Sequence, residues 1–593
     1  MSRTVRYEPE DNPPYKLAIS LGFQYAILAV AGIVLTPVII ISASGMEGQD
    51  SYILWAAFAA LIVSGITTIL QAVGKKRIGA GYILLMGTSA TFIAISINAL
   101  AKGGVPLLTT LIMMSALVQF LLSWRLSLFR RVFNSTVGGT IIMLIAVSIM
   151  PHLFPMLERI PADSSNVAGL IAALATVLTV IIIIFKSNGI MRLWSPVIGI
   201  GVGCAVSAVV GIYDLSKVAA APWISIPLGH WPGLSFDFSP SFWILLPSFL
   251  FVTIIGAIET VGDAIAIQQV SRRKPRSIDF RSIQGAVSTD GVGNLLSGLM
   301  ATIPNTTYSS SVFLVELTGV AAKRVGICVG AALIGLAFFP KFIALILSIP
   351  QPVVAAYMVV SVAMLFIVGI KLVIRHSNYQ QCMIAAIGFW LGYAFQAKLV
   401  FPSMMQSSPV INTLLSDGMT SGGLVALALS GLMEVLSSRR KSIRTVLNDK
   451  ALESIHPFLR AFAASRKWDE KATVRLCAAA EETVLSVLSN KKDTATATSA
   501  DEVDEEVEEV GKERQLLINV RGDKNAIEIE CLATLGDDNL EDKMVVLQSH
   551  GDDVSPDSLS MRILRKVSSH FRHQKFHNTD IVTVRVDALP HQH

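Results

Sequence analysis

The chain has 593 residues, 52% of them hydrophobic and 15% charged, and its mean hydropathy is +0.59. Soluble domains carry charge at roughly a quarter of positions, so this composition excludes a compact soluble enzyme and indicates a polytopic membrane protein. The net charge of +5 comes from Lys and Arg gathered in short loops rather than on one basic face, which gives no reason to expect a nucleic-acid partner.

Residues 1–16, MSRTVRYEPEDNPPYK, read as a polar cytoplasmic N-terminal tail. The apolar stretch that follows lacks a small-residue cleavage site, so the first helix is expected to be retained. A crossing helix needs about 20 apolar residues. On that measure residues 17–437 form the membrane region, with spans near 17–41, 52–73, 78–98, 105–123, 136–150, 167–185, 195–212, 242–268, 282–300, 305–318, 325–347, 351–370, 379–396 and 420–436. With the N-terminus inside, every even-numbered span ends on a basic cluster: Lys75–Arg77, Arg125 with Arg130 and Arg131, Lys186 and Arg192, Arg272–Lys274, Lys323 and Arg324, Lys371 and Arg375, and Arg439–Lys441. The alternate loops carry Glu47, Asp50, Glu158, Asp163, Asp214 and Asp237. This asymmetry supports an even count of fourteen with both termini cytoplasmic.

Fourteen spans as two halves of seven require the second half to be inverted relative to the first. Two polar interruptions fall at matched positions: Gly87-Thr88-Ser89-Ala90-Thr91 opens the third span, and Pro304 to Ser311 opens the tenth. Irregular backbone at membrane depth is tolerated only where protein buries it or it lines a cavity, so the pair of short, broken helices points to a central substrate site. The alternative is that Ser, Thr and Gly merely allow close helix packing.

The eighth span, FVTIIGAIETVGDAIAIQQV, places Glu259 and Asp263 one turn apart on one face. Intramembrane carboxylates are costly and usually serve as ligands, proton carriers or buried pairs, so Glu259 is the first functional candidate and Asp263 the second. Asp290, among Gly and Asn in SIQGAVSTDGVGNLLSGLM, reads as a turn or packing residue. Glu316 and Glu434, near span ends, are expected to snorkel to the interface. Cys204, Cys328, Cys382, Cys477 and Cys531 show no metal-ligand spacing, so neither a metal site nor a disulfide is expected.

Residues 438–593 form a cytoplasmic α+β domain. Its helical pattern LNDKALESIHPFLRAFAASRKWDEKATVRLCAAAEETVLSVLSN leads to an acidic linker near 491–513, which contains the run from Asp501 to Glu509 and is expected to be disordered. Strand-like RQLLINVRG and NAIEIECLA follow, then a helix over SLSMRILRKVSSHF and a strand DIVTVRVDA. His570, His573 and His577 read as a solvated helix end rather than a metal site.

Several of these stretches resemble the nucleobase–ascorbate transporter family, the xanthine/uracil permeases or nucleobase:cation symporter-2 carriers: LGFQYAILAVAGIVLTP, ETVGD, DGVGNLLSGL, IPNTTY and IPQPVVAAYMVV, in family order, across 15–437. The resemblance implies an all-α membrane fold of 14 spans in a 7+7 inverted repeat, with a core domain (spans one to four and eight to eleven), a gate domain (five to seven and twelve to fourteen) and a homodimer in the bilayer. It implies a transporter rather than an enzyme, with no cofactor beyond a proton, or sodium, as the coupling ion, and a bacterial inner-membrane location. The family's span-eight acid maps onto Glu259, as acceptor of ring N–H groups, and the polar residue one turn on maps onto Asp263; an Asp there resembles the purine branch, so xanthine or uric acid is favoured over uracil. A deep carboxylate in a low-dielectric site favours its protonated form unless a donor pairs with it, so protonation of Glu259 or Asp263 is expected to accompany substrate binding. Gln24, Tyr25, Ala90, Thr91, Ser310 and Ser311 fall at the remaining substrate-binding positions. Here the chain departs from the pattern: Tyr25 stands where a His is usual, Ser310 and Ser311 stand for Gln/Glu and Asn, Phe313 stands for Gly, and Ala90 stands where uracil carriers tend to place an aromatic.

WDEKATVRLCAAAEETVLSVL resembles the histidine-kinase-like ATPase fold of anti-sigma-factor kinases, but Ser486 stands where that family has a magnesium-supporting Asn, and the DxGxG box is absent. A regulatory or interaction domain with a cytoplasmic protein partner is therefore expected, with a nucleotide-sensing remnant as the alternative, rather than an active kinase. Two rivals follow from the same features: a membrane sensor signalling through this tail, and an anion carrier of the related sulfate-transporter type.

Overall fold

The computed structural model describes residues 5–588 except 47–48, 127–134, 162–164, 166, 188–190, 192–193, 275, 377–378, 404–411, 413–414, 416–417, 438–440, 447–450, 498–514, 523, 534–562 and 577–579. The chain divides into two compact units, Met1–Arg273 with Ser282–Ser430, and Lys274–Arg281 with Gly431–His593.

The first unit is mostly helical. Apart from two short turns of helix at Ser216–Ala220 and Leu228–His230, its elements are α1 (Tyr15–Ser44), α2 (Gln49–Val73), β1 (Met86–Thr88), a 3₁₀ turn (Ala90–Phe92), α3 (Ile93–Trp124), α4 (Ser135–Leu157), α5 (Ala168–Lys186), α6 (Ser195–Val209), α7 (Pro240–Val270), α8 (Phe280–Leu299, its first two residues in the second unit), β2 (Asn305–Thr307), α9 (Ser310–Thr318), α10 (Lys323–Ala337), α11 (Pro340–Leu347), α12 (Gln351–His376), α13 (Tyr379–Gln396) and α14 (Gly418–Ser437, from residue 431 on in the second unit). Six of the described helices are long and apolar enough to cross a membrane, and α10 with α11, bent by 85°, makes a seventh candidate. Apolar side chains cover even their outer faces: Leu170, Leu174, Leu178 and Ile182 on α5 are each about half exposed, a surface suited to lipid rather than water. The expected third and fourth spans are joined in α3, broken at Gly104, whose φ of 65° is the left-handed region that glycine enters without penalty, two residues before Pro106.

Small residues set the closest helix contacts. A Cβ on Gly65 of α2 would lie 2.6 Å from the Gly330 carbonyl oxygen of α10, and one on Gly330 would lie 2.4 Å from that of Gly65. Backbones approach this closely only where no side chain intervenes. The N-terminal segment is anchored: the Arg6 amide donates to the Gly319 carbonyl, Tyr7 pairs with Val320, and Arg272 contacts Glu10 through both guanidinium nitrogens at 2.6 and 2.8 Å. Against the cost of partial burial, that guanidinium holds the Glu10 carboxyl below its ordinary range.

In the second unit β3 (Lys441–Val446), β4 (Gln515–Gly522), β5 (Ala526–Ala533), β6 (His570–Lys575) and β7 (Asp580–Asp587) form an antiparallel sheet in the order β3-β4-β5-β7-β6. α15 (Ala451–Ser465) and α16 (Glu470–Ala497) contribute Ile455, Leu459, Phe462, Leu476 and Val484 to its core, which also holds Ile518, Val520, Ile529 and Val584. Lys441–Val446, ahead of the helical pattern, is a strand whose register is fixed residue by residue against β4. Other elements correct what the sequence leads one to expect: α16 runs seven residues into the expected linker. The expected helix over 558–571 is reduced to 563–567 among the described residues, and His570 and His573 lie on β6 instead. His573 is buried, together with Gln574 and Lys575 at the end of β6. The acidic run 501–509 and His577 lie outside the described residues.

Candidate functional site

α7 begins with Pro240 in its first turn, where the missing N–H costs nothing, and runs 31 residues. It presents Glu259, Thr260 and Asp263 toward the two interrupted stretches. Those stretches were expected as broken helices. Each instead contributes a three-residue strand, and the strands pair antiparallel, Met86 with Thr307, Gly87 with Thr306 and Thr88 with Asn305. Two further backbone bonds extend the ladder, Ser89 N–H to Pro304 and Tyr308 N–H to Leu85, both 2.8 Å. The extended backbone is thereby satisfied where water is excluded.

The DGVGN stretch of α8 supports this pair. The Asn294 carboxamide oxygen accepts from the Asn305 backbone N–H at 2.7 Å, and its amide donates to Gln119 at 2.7 Å. Asn305 in turn donates to the Ser64 hydroxyl at 3.1 Å. The Tyr308 hydroxyl donates to the Thr88 carbonyl across the ladder at 3.1 Å.

Around this frame sit three carboxylates with different surroundings. Asp263, buried, accepts from the Thr307 hydroxyl at 2.8 Å on one oxygen and from Ser309 at 2.5 Å on the other. Asp290, fully buried, accepts from Thr260 on one oxygen, while its other oxygen has no hydrogen-bond partner among the described residues. Glu259 is half-buried and accepts from the Thr91 hydroxyl at 3.2 Å. Asp263 is committed to holding β2 and the start of α9. Glu259 retains acceptor capacity on a side chain that remains reachable, which suits recognition of N–H groups.

The structure brings Thr91, Glu259 and Asp263 together and places Ala90 beside them in the 3₁₀ turn. Ser310 is exposed at the start of α9. Ser311 is buried and committed elsewhere: its hydroxyl accepts from the Leu85 N–H at 3.1 Å and donates to the Tyr308 carbonyl. Tyr25 is buried with its hydroxyl on the Leu314 carbonyl at 3.1 Å and Thr318 at 2.8 Å, so it braces α1 against α9. Gln24 lies on the exposed side of α1. Asp290 sits within a helix rather than a turn and adjoins the acids through Thr260, a role its Gly-rich neighbourhood concealed. Thr307 and Ser309 were also missed, although their place in IPNTTYSSS was the available signal. Among the described residues there is no cluster of His, Cys, Asp and Glu able to hold a metal ion, and all five cysteines are free.

A family model described as "Permease family" (Xan_ur_permease) matches residues 16–402, leaving the second unit's sheet outside the match. The xanthine permease XanP of Escherichia coli strain K12 is 27% identical over 443 residues, covering 72% of this chain and 93% of that one. The uric acid permease PucK of Bacillus subtilis strain 168 is 24% identical over 430 residues, covering 72% and 97%. Among solved structures, the transmembrane domain of the cyanobacterium bicarbonate transporter BicA is similar at 15% identity and a TM-score of 0.44, covering 72% of this chain and all of that one.

Proposed function

Because this chain belongs to the xanthine/uracil permease family, integral membrane carriers rather than enzymes, we propose that it imports a purine-type nucleobase, xanthine or uric acid in preference to uracil, by symport with a proton. The reading takes the membrane region as fourteen spans in an inverted 7+7 repeat, assembled as a homodimer in a bacterial inner membrane with both termini inside. The observation that carries it is the contrast between the acids: Glu259 has one hydroxyl donor and partial exposure, whereas both oxygens of Asp263 are occupied by hydroxyls. A purine dione presents several ring N–H donors, and a reachable carboxylate is their natural acceptor.

In this mechanism Glu259 accepts ring N–H groups, takes up the coupling proton and releases it on the other side as the core moves against the gate. Asp263 holds β2 and α9 in place while it does so. Loss of long polar side chains at Ser310 and Ser311 leaves Glu259 as the main polar anchor. Uptake of radiolabelled xanthine and uric acid into proteoliposomes, with and without an imposed inward proton gradient, tests the proposal. Gradient-stimulated uptake that falls at least tenfold in Glu259→Gln supports it; gradient-independent uptake, or wild-type rates in the variant, overturns it.

A further inference from the structure

The second unit contains an element from outside the tail sequence. Lys274–Arg281, which joins α7 to α8 along the chain, belongs to it. Asp279 pairs in parallel with Lys575 of β6, the Phe280 ring lies 5.0 Å from the Phe576 ring, and the Arg572 guanidinium sits 5.8 Å over Phe280. Both rings are nearly excluded from solvent. β6 ends the sheet, so its outer edge is the side on which an added strand can pair.

We propose that the β6 edge of the tail domain is a binding surface whose ligand is this chain's own 276–281 segment, and that the clasp acts as a brake on transport. The inference rests on the transport reading. Its physical basis is connectivity: the segment follows the helix that carries Glu259 and Asp263 and leads directly into the helix that carries Asp290. A contact that holds the connection between two moving helices stabilises whichever conformation it fits, and slows passage through the others by that preference. Buried aromatic stacking with a cation over the ring supplies the specific part of the hold. The tail thereby becomes a device through which a cytoplasmic event could set the transport rate without entering the membrane region.

The test compares full-length wild type, Phe280→Ala, Phe576→Ala and the double variant in proteoliposomes. None of these residues touches the candidate site. Maximal xanthine uptake is expected to rise at least threefold in each single variant with KM within twofold of wild type, and to rise no further in the double variant, because both residues act through one contact. Hydrogen exchange of the 276–281 amides in the full-length protein is expected to show protection in wild type that is lost in both single variants. Unchanged or reduced maximal uptake in Phe280→Ala, whose substitution leaves the tail's own core intact, overturns the brake, as does an unprotected segment in wild type. Wild-type protein that transports no nucleobase while its segment is protected locates the failure in the transport reading instead.

Discussion

The Ser309 hydroxyl donates to one oxygen of Asp263 at 2.5 Å, tying the start of α9 to the middle of α7. With the Thr307 hydroxyl on the other oxygen, a single carboxylate holds the junction between an extended stretch and a helix inside the membrane region. Removing that carboxylate leaves the Ser309 hydroxyl without its acceptor, at a cost on the order of 1–3 kcal/mol, and leaves Thr307 only the longer contact with Thr260 at 3.3 Å. Asp263→Ala is therefore expected to lower the Tm of the detergent-solubilised protein by several degrees, whereas Asp263→Asn, which keeps an acceptor oxygen, loses much less. Equal stability of the two variants would show that the hydroxyl bonds contribute nothing.

Thr91 offers a cleaner probe of Glu259, because Thr91→Val removes the donor while nearly preserving shape. The hydroxyl fixes one carboxylate oxygen at 3.2 Å. A hydrogen bond of this kind is worth about 1 kcal/mol net, which corresponds to roughly fivefold in an affinity. The KM for xanthine is expected to rise by about that factor, with Tm unchanged. An unchanged KM means that Glu259 is oriented by something other than Thr91.

Gly87 tests the strand pair itself. A Cβ there would lie 2.3 Å from Tyr308 Cζ and 2.5 Å from its hydroxyl oxygen. Gly87→Ala must displace a ring whose hydroxyl bridges to Thr88, an overpacking expected to cost about 1–3 kcal/mol. Adding Tyr308→Ala should be less damaging in the Gly87→Ala background than in wild type, measured as Tm. Simple additivity of the two changes would place the strain elsewhere.

Much of this was legible from residues alone, for reasons that also explain what was not. Apolar runs located the helices because lipid imposes their length, and Glu259 stood out because an acid there is costly. The β1–β2 pair could not be read: three residues such as Asn305–Thr307 carry no period, and their partner Met86–Thr88 is more than two hundred residues away. Asp290 is hidden by glycines that resemble a turn but serve helix packing; a Cβ on Gly291, beside it, would lie 3.0 Å from the Phe120 ring. In the tail, Lys441–Val446 becomes a strand only because β4 is there to pair with it, and SSHFRHQK reads as a helix end although the sheet buries His573. Pairing at a distance decided each of these.

His573 provides the pH-dependent prediction. Burial, then the nearby charges of Lys575 and Arg281, push its imidazole down to about 3, outweighing the Asp580 carboxylate 3.9 Å from Nε2. The folded tail therefore holds His573 neutral, while the unfolded chain protonates it near its ordinary value of 6.5. Between those values the unfolded state binds more protons, so this contribution to stability is complete above about pH 6.5 and is lost as pH falls toward 3, at about 1.4 kcal/mol per unit. Native-state hydrogen exchange on the full-length protein should show the opening free energy of β6 and β7 falling by about 2 kcal/mol from pH 7.5 to 5, after correction for intrinsic rates. His573→Gln should remove most of that slope; the same slope in the variant would assign it to other groups, and a flat wild-type profile would mean that the imidazole reaches water in the folded tail.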